Sequence, residues 1–90
     1  MKTKLFIGGQ WCESSDGATF PIIDPSTEKP ITDVSSATID DANKAIEIAD
    51  KAGKEWAARA PRDRAEVLRK AWELLSSRRD DIAEYIVREN

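Results

Sequence analysis

Along the first third of the chain, short apolar or β-branched runs alternate with clusters of turn formers. Gly8-Gly9, Ser14-Ser15-Asp16-Gly17, Pro21, Asp24-Pro25-Ser26 and Lys29-Pro30 punctuate it, a rhythm of strand and turn. The spacing predicts a first strand over 4–11, a second over 18–23 entered through the Asp16-Gly17 turn, and a third extended piece over 30–35. Pro21 confines the second strand to an edge or an interruption, because it brings no amide to a ladder. Asp24-Pro25-Ser26-Thr27 has the form of a type I turn with an Asx start.

At residue 38 the period changes from two to helical. Thr38-Ile39-Asp40-Asp41 sets a hydroxyl three residues before an acid, the form of a capped helix start, with both acids at the positive end of the helix dipole. Ile39, Ala42, Ile46, Ala49, Gly53, Trp56 and Ala60 recur at alternating spacings of three and four, which predicts one buried helix face. Glu47 with Lys51 and Asp50 with Lys54 stand at i,i+4 on the other side, positioned for exposed ion pairs.

Pro61 ends that helix and suits the first position of another. The second helix is expected to bury Ala65, Leu68, Trp72 and Leu75, with Val67, Ala71 and Leu74 widening the stripe. Ser76-Ser77 predicts a break. Ser77-Arg78-Arg79-Asp80 offers a second cap, followed by a third apolar face of Ile82, Ala83, Ile86 and Val87. Arg88-Glu89-Asn90 lacks a capping glycine. Three amphipathic helices and a few edge-type strands would leave apolar stripes open without a further covering layer, so the expectation is a piece of a longer protein.

Composition narrows the chemistry. The chain has 90 residues, 40 % hydrophobic and 34 % charged, which suits a soluble globular segment rather than a disordered tail. A compact chain of this length would bury about 60–70 % of its unfolded surface. The net charge of −3 gives no overall field for nucleic acid or an anionic membrane. The stretch from 51 onward is mildly basic, but its charges alternate in sign, as on solvated helix faces. No apolar run has the length of a signal peptide or a membrane span, and a cytoplasmic location is expected.

Histidine is absent, which excludes Ser-His-Asp and Cys-His nucleophile systems built from these residues, and the single Cys excludes disulfide frameworks and Cys-cluster zinc sites. Cys12 sits between Trp11 and Glu13 with nothing to lower its pKa, and reads as an incidental thiol. Gly8-Gly9 lacks the further glycine and following helix of a phosphate loop, and reads as a turn or bulge. Asp40-Asp41 and Asp80-Asp81 each open a helix, where acids stabilise the dipole without catalysis. Trp56 and Trp72 lie on the apolar stripes and are expected in a core, while Trp11 falls at a strand end. Arg59, Arg62, Arg64 and Arg69, interleaved with Asp63 and Glu66, suggest a surface ion network rather than a phosphate site. These residues by themselves make no active site.

Taken in order, Leu5-Phe6-Ile7-Gly8-Gly9-Gln10-Trp11, Thr19-Phe20-Pro21-Ile22-Ile23-Asp24-Pro25-Ser26-Thr27, the capped helix ending in Trp56, Pro61 with Arg64 and Leu68-Arg69, and Val87-Arg88-Glu89-Asn90 closely resemble the N-terminal stretch of the NAD(P)-dependent aldehyde dehydrogenase superfamily. Within it the likeness leans toward the semialdehyde dehydrogenases, with succinate semialdehyde as the named substrate. The resemblance implies an α/β fold, locally α+β, in which residues 1–90 are the N-terminal part of the cofactor-binding domain. Strands and turns occupy 1–37 and helices 38–90, flanking the Rossmann-like sheet.

It also implies a homo-oligomeric enzyme, using NAD or NADP, that oxidises an aldehyde to the carboxylic acid. The catalytic Cys, the general-base Glu, the oxyanion-hole Asn and the glycine-bearing cofactor loop of the family lie further along. Catalytic, cofactor-binding and metal residues are therefore each expected to be none in this segment, and its partner is the remainder of the enzyme chain, with no nucleic acid and no membrane. Some members hold a monovalent cation on backbone carbonyls that would fall at Ile22 and Ile23. Trp56, Leu68, Trp72, Leu75, Ile82 and Ile86 are expected to pack on the cofactor domain. The alternative, from a different class, is a stand-alone helical interaction module that binds a partner through the same stripes.

Overall fold

Gly8 and Gly9 both adopt positive φ, 61° and 78°, and this decides the start of the fold. A computed structural model describes residues 1–90. In it the expected single strand over 4–11 is instead a hairpin, β1 (Leu5–Ile7) and β2 (Gln10–Cys12). Two successive left-handed residues reverse the chain in the sense that matches strand twist, which only glycine does without strain. Leu5 faces Cys12, Phe6 faces Trp11 and Ile7 faces Gln10, and the Phe6 and Trp11 rings lie 4.8 Å apart across the pair.

The other two extended segments, β3 (Thr19–Asp24) and β4 (Lys29–Ser35), pair antiparallel from Thr19 opposite Ser35 to Asp24 opposite Lys29, with a register slip between Ile22 and Ile23. Both sheets have two strands. Every strand is thus an edge, so Pro21 and Pro30 can each leave an unpaired side without breaking a ladder. The reversal between β3 and β4 is the Asx turn the sequence predicts. Asp24 Oδ1 accepts from the Ser26 amide at 2.8 Å and the Ser26 hydroxyl at 2.7 Å. The loop closes with Glu28 N–H donating to the Asp24 carbonyl at 2.8 Å, Glu28 itself at φ 57°.

Between the hairpins, Ser14 is one of two buried residues, at 6 % exposure. Its hydroxyl lies within hydrogen-bond reach of the Ala18 carbonyl at 3.0 Å and Asp16 Oδ1 at 3.1 Å. Ser35 N–H donates to the Thr3 carbonyl at 2.8 Å, tying the second hairpin to the chain entering the first.

Three helices follow: α1 (Ile39–Ala58), α2 (Pro61–Ser77) and α3 (Arg79–Glu89). The start of α1 is a full capping box, with Asp41 N–H donating to Thr38 Oγ1 at 3.1 Å and Thr38 N–H donating to Asp41 Oδ2 at 3.0 Å. Its inward face matches the expected one at half-buried Trp56 and departs from it nearer the N-terminus. Asp41, Ala45 and Ile48 turn toward the rest of the chain, whereas Ile39, Ala42, Ile46 and Gly53 stay exposed, Ile46 at 66 %. The two sets lie about 120° apart round a helix of 3.6 residues per turn. The β1–β2 turn lies against the inner one: a Cβ on Gly8 would sit 3.5 Å from Ile48 Cδ1, ordinary van der Waals contact, so the turn packs on that side chain and it is the positive φ that asks for glycine.

Pro61 takes the first position of α2 as predicted, after Ala60, which makes no side-chain cap bond. The break falls at Ser77–Arg78, also as predicted. Ser77 does not cap α3, however. Its hydroxyl donates back to the Leu74 carbonyl at 2.8 Å, and Arg78 takes the cap position without a side-chain bond. The Leu74 carbonyl, which also accepts the Arg78 amide at 3.1 Å, lies one turn back from the hydroxyl, the usual partner of a serine inside a helix. α3 then runs back against β3.

No hydrophobic residue of this chain is buried. It exposes 7441 Å², where a compact monomer of this mass exposes about 5,200 Å². Its radius of gyration is 16.6 Å against about 12 Å for a compact domain of this length. The fold is a flat, open layer, 16 Å along its shortest axis. The expected burial of 60–70 % is not reached, because the helices hardly touch one another and leave their stripes exposed.

Candidate functional site

The largest chemical feature is the outward face of α2. Leu68, Trp72 and Leu75 recur at helical spacing and are 64 %, 67 % and 60 % exposed. Trp72, expected in a core, is therefore solvent-facing within this segment, while Trp56 is half-buried. Where α2 meets α3, Ala71, Leu74, Leu75, Ile82 and Tyr85 line a hollow of about 590 Å³ with Arg78 and Asp81 at its edge. Ile86 and Val87 continue the open apolar surface along α3. An apolar area this continuous is a docking surface rather than ordinary exposure.

The opposite face of α2 is polar and internally satisfied. Arg69 donates through Nε to Glu66 Oε2 at 3.0 Å and through Nη2 to Glu66 Oε1 at 2.7 Å, and it also bonds Glu73. Those hydrogen bonds hold the Glu66 carboxyl below its ordinary value and raise the already high Arg69 guanidinium further. The expected ion network forms here alone among the arginine series. Arg59 instead lies over the Trp56 ring, 5.4 Å from its centroid. Arg64 has no carboxylate of this chain within ion-pair distance. On α1, Asp50 and Lys54 pair at 3.5 Å, whereas Glu47 and Lys51 do not close. Two fully solvated side chains gain little by fixing one geometry.

A second built feature, which composition alone does not reveal, joins the loop between the hairpins to α1. Asp41, 9 % exposed, accepts through Oδ2 from the amides of Thr38 and Ser15, each at 3.0 Å. Ser15 Oγ and Thr38 Oγ1 complete the cluster at 2.9 Å. The Thr38 amide first, then the Ser15 amide, hold the Asp41 carboxyl below its ordinary value. The sequence signal was the Thr38–Asp41 spacing; the Ser15 contact had none. Asp80 and Asp81 sit in the first turn of α3 and make no comparable cluster.

Gly8-Gly9 joins two strands, so no helix N-terminus follows it to meet a phosphate. The N-terminus of α1 is already filled by its own Asp41 carboxylate, and α2 begins with Pro61 and carries Asp63 in its first turn. Cys12, half-buried at the end of β2, lines a cleft with Glu13, Asp41 and Lys44. No group of three or more Cys, Asp or Glu side chains is placed to hold a metal. Ile22 and Ile23 straddle the register slip of β3, with Pro30, which has no amide hydrogen, opposite Ile23.

The segment is thus a mixed α/β layer with one apolar side uncovered within it. Residues 11–90 match the model of the aldehyde dehydrogenase family, and the chain belongs to that family. It is 38 % identical over 89 residues to a salicylaldehyde dehydrogenase of Pseudomonas sp. (strain C18), covering 99 % of this chain and 18 % of that protein. A D-glyceraldehyde dehydrogenase (NADP(+)) of Picrophilus torridus is 34 % identical, with 97 % and 18 % covered. Among solved structures, an NAD-dependent benzaldehyde dehydrogenase from Corynebacterium glutamicum superposes with a TM-score of 0.91 at 36 % identity, over 99 % of this chain and 20 % of that one. The chain therefore spans about a fifth of the length of its relatives. No helix is long and apolar enough to cross a membrane.

Proposed function

We propose that these 90 residues serve as the N-terminal, non-catalytic part of an NAD(P)-dependent aldehyde dehydrogenase, oxidising an aldehyde to a carboxylic acid in the full-length protein. The observation that carries this reading is the family match over residues 11–90 on a segment whose apolar face is open. The role of the segment is scaffolding. Trp56, Leu68, Trp72, Leu75, Ile82 and Ile86 pack on the remainder of the chain, and the capped α1 with its two hairpins forms one side of the cofactor-binding domain. The nicotinamide cofactor accepts hydride in such an enzyme; the residues here hold the layer that supports its domain and do not touch it.

The relatives divide between aromatic aldehydes and others, including a succinate-semialdehyde dehydrogenase from Burkholderia pseudomallei at 30 % identity and a TM-score of 0.87. Succinate semialdehyde, salicylaldehyde and glyceraldehyde therefore form the substrate panel, each with NAD and with NADP. The proposed enzyme is a cytoplasmic homo-oligomer. Full-length enzyme is expected to reduce the cofactor with at least one aldehyde of the panel, and the purified segment with none. Turnover by the segment alone, or a full-length protein that oxidises no aldehyde, contradicts the reading. The stand-alone module predicts instead a cooperatively folded, soluble 90-residue product.

A further inference from the structure

α2 is the least supported element of the segment. It spans 17 residues, yet it hardly touches any other strand or helix, whereas α3 runs back against β3. Its link to α3 is one residue, Arg78, which leaves helical geometry at φ −107° and ψ 15° and makes no side-chain bond to cap α3. Two soft dihedrals do not fix the angle between two helices; packed side chains do. Inside that elbow lies the hollow of about 590 Å³, with Ala71, Leu74 and Leu75 on one wall, Ile82 and Tyr85 on the other, and Arg78 and Asp81 at the edge. Leu74, Leu75 and Tyr85 stay exposed there, and neither Arg78 nor Asp81 joins an ion pair. Apolar walls left in water forgo the burial that holds most helices in place.

We propose that this elbow is a socket for an apolar run of the remaining enzyme chain, and that the inserted run, rather than any contact inside the segment, sets the position of α2 against α3. The inference deepens the reading of the segment as one part of a longer aldehyde dehydrogenase, and rests on it. The occupant follows from a mismatch between shape and contacts. The segment superposes on a whole enzyme with a TM-score of 0.91 over 99 % of its length while matching only 20 % of that chain. An elbow with so little holding it from within keeps the same shape there because the rest of the chain holds it. The segment also exposes roughly 2,200 Å² more than a compact monomer of its mass, the scale of a permanent interface rather than a transient contact. Because the walls come from both helices, one run entering the hollow closes on Leu74 and Leu75 and on Ile82 and Tyr85 at once, which couples α2 to α3. Arg78 and Asp81 remain at the mouth, where water still reaches their charges.

Thiol labelling of the full-length enzyme tests this, with the labelled sites identified by peptide mass. Ala71→Cys places a small thiol on the α2 wall of the hollow, and Lys70→Cys places one about 100° round the same helix, on the side that carries Glu66 and Glu73. The Ala71→Cys thiol is expected to react about a hundredfold more slowly than the Lys70→Cys thiol, because reaction inside a filled socket waits for local opening. Ala71→Trp should lower the thermal unfolding midpoint, since a filled socket has no room for the ring, while Lys70→Trp leaves it in place. Equal labelling rates in an enzyme that oxidises aldehydes overturn the socket and leave the family reading standing. Protection of Ala71→Cys that disappears when the enzyme is diluted to single protomers overturns the occupant, because a second copy then covers the hollow. A wild-type enzyme that oxidises no aldehyde of the panel overturns the reading beneath both. Should Ala71→Cys fail to fold, Leu74→Cys on the same wall carries the comparison, with equal rates again overturning the proposal.

Discussion

Asp41 accepts the backbone amide of Ser15 at 3.0 Å across 26 residues of sequence. One carboxylate thereby closes the N-terminus of α1 and fastens it to the loop joining the hairpins. Few other polar contacts bridge the β and α halves of the segment, and this one holds α1 in the orientation that brings Ile48 onto the Gly8 turn.

Removing the Thr38 hydroxyl tests the cap. Thr38→Ala is expected to destabilise by about 1 kcal/mol, the usual cost of losing an N-cap hydroxyl. The control is Ser77→Ala: because Ser77 bonds back to Leu74 and caps nothing, its cost should stay within about 0.5 kcal/mol. Urea unfolding midpoints of the two variants in the full-length enzyme give the comparison, and an equal loss in both would contradict the assignment of Thr38 as the true cap.

The Asp41 cluster sets a pH dependence of definite sign. Its carboxyl lies below its ordinary value in the folded state because it accepts the Thr38 and Ser15 amides. A carboxyl with a depressed folded pKa contributes stability that is fully present above the unfolded value and is lost as pH falls through the folded one. Asp24, depressed first by the Ser26 hydroxyl, and Glu66, depressed by Arg69, act in the same direction. Exchange at the first turn of α1 should therefore be steady, apart from its intrinsic pH dependence, above about pH 5 and lose protection below about pH 4. Asp41→Asn should abolish that acid-dependent step at α1 while leaving the step at the Asp24 turn.

The glycine pair predicts an unusual substitution order. Asn tolerates left-handed backbone better than Ala does, and the two-residue hairpin turn accepts Asn at its first position. Gly8→Ala and Gly9→Ala should each cost about 1–2 kcal/mol, with Gly8→Asn closer to wild type. Space is not the obstacle at Gly9, where an added Cβ meets nothing within 4 Å. Thermal unfolding of the three variants decides it; an Ala at Gly9 as stable as wild type would remove backbone strain as the reason for the glycine.

The open face of α2 predicts self-association of the isolated segment. It should bind a hydrophobic dye and sediment above its 10.0 kDa monomer mass. Leu68→Glu with Leu75→Lys should reduce both, since each places charge where 64 % and 60 % of the side chain is exposed. In the full-length enzyme the same pair should be destabilising, because there the charges would lie under the covering layer. A monomeric, dye-silent wild-type segment would count against the docking surface.

Local chemistry was legible in the sequence. The Thr38–Asp41 cap, the Asx turn at Asp24, Pro61 at the start of α2 and the break at Ser77 each depend on groups within four residues of one another. Side chain and backbone settle such contacts before any packing occurs. Relationships between distant residues were not legible. The α1 stripe of Ile39, Ala42 and Ile46 was legible by period, but that the Gly8 turn would come to rest on Ile48 and turn Asp41 and Ala45 inward was not. Hydrophobic periodicity marked Trp72 as buried, which concerns the complete fold; within this segment it remains on the surface. Arg64 and Arg69 are alike in sequence. The helix set Glu66 and Glu73 beside one of them, and only the tertiary structure showed that the other keeps a buried Nε with no hydrogen-bond partner.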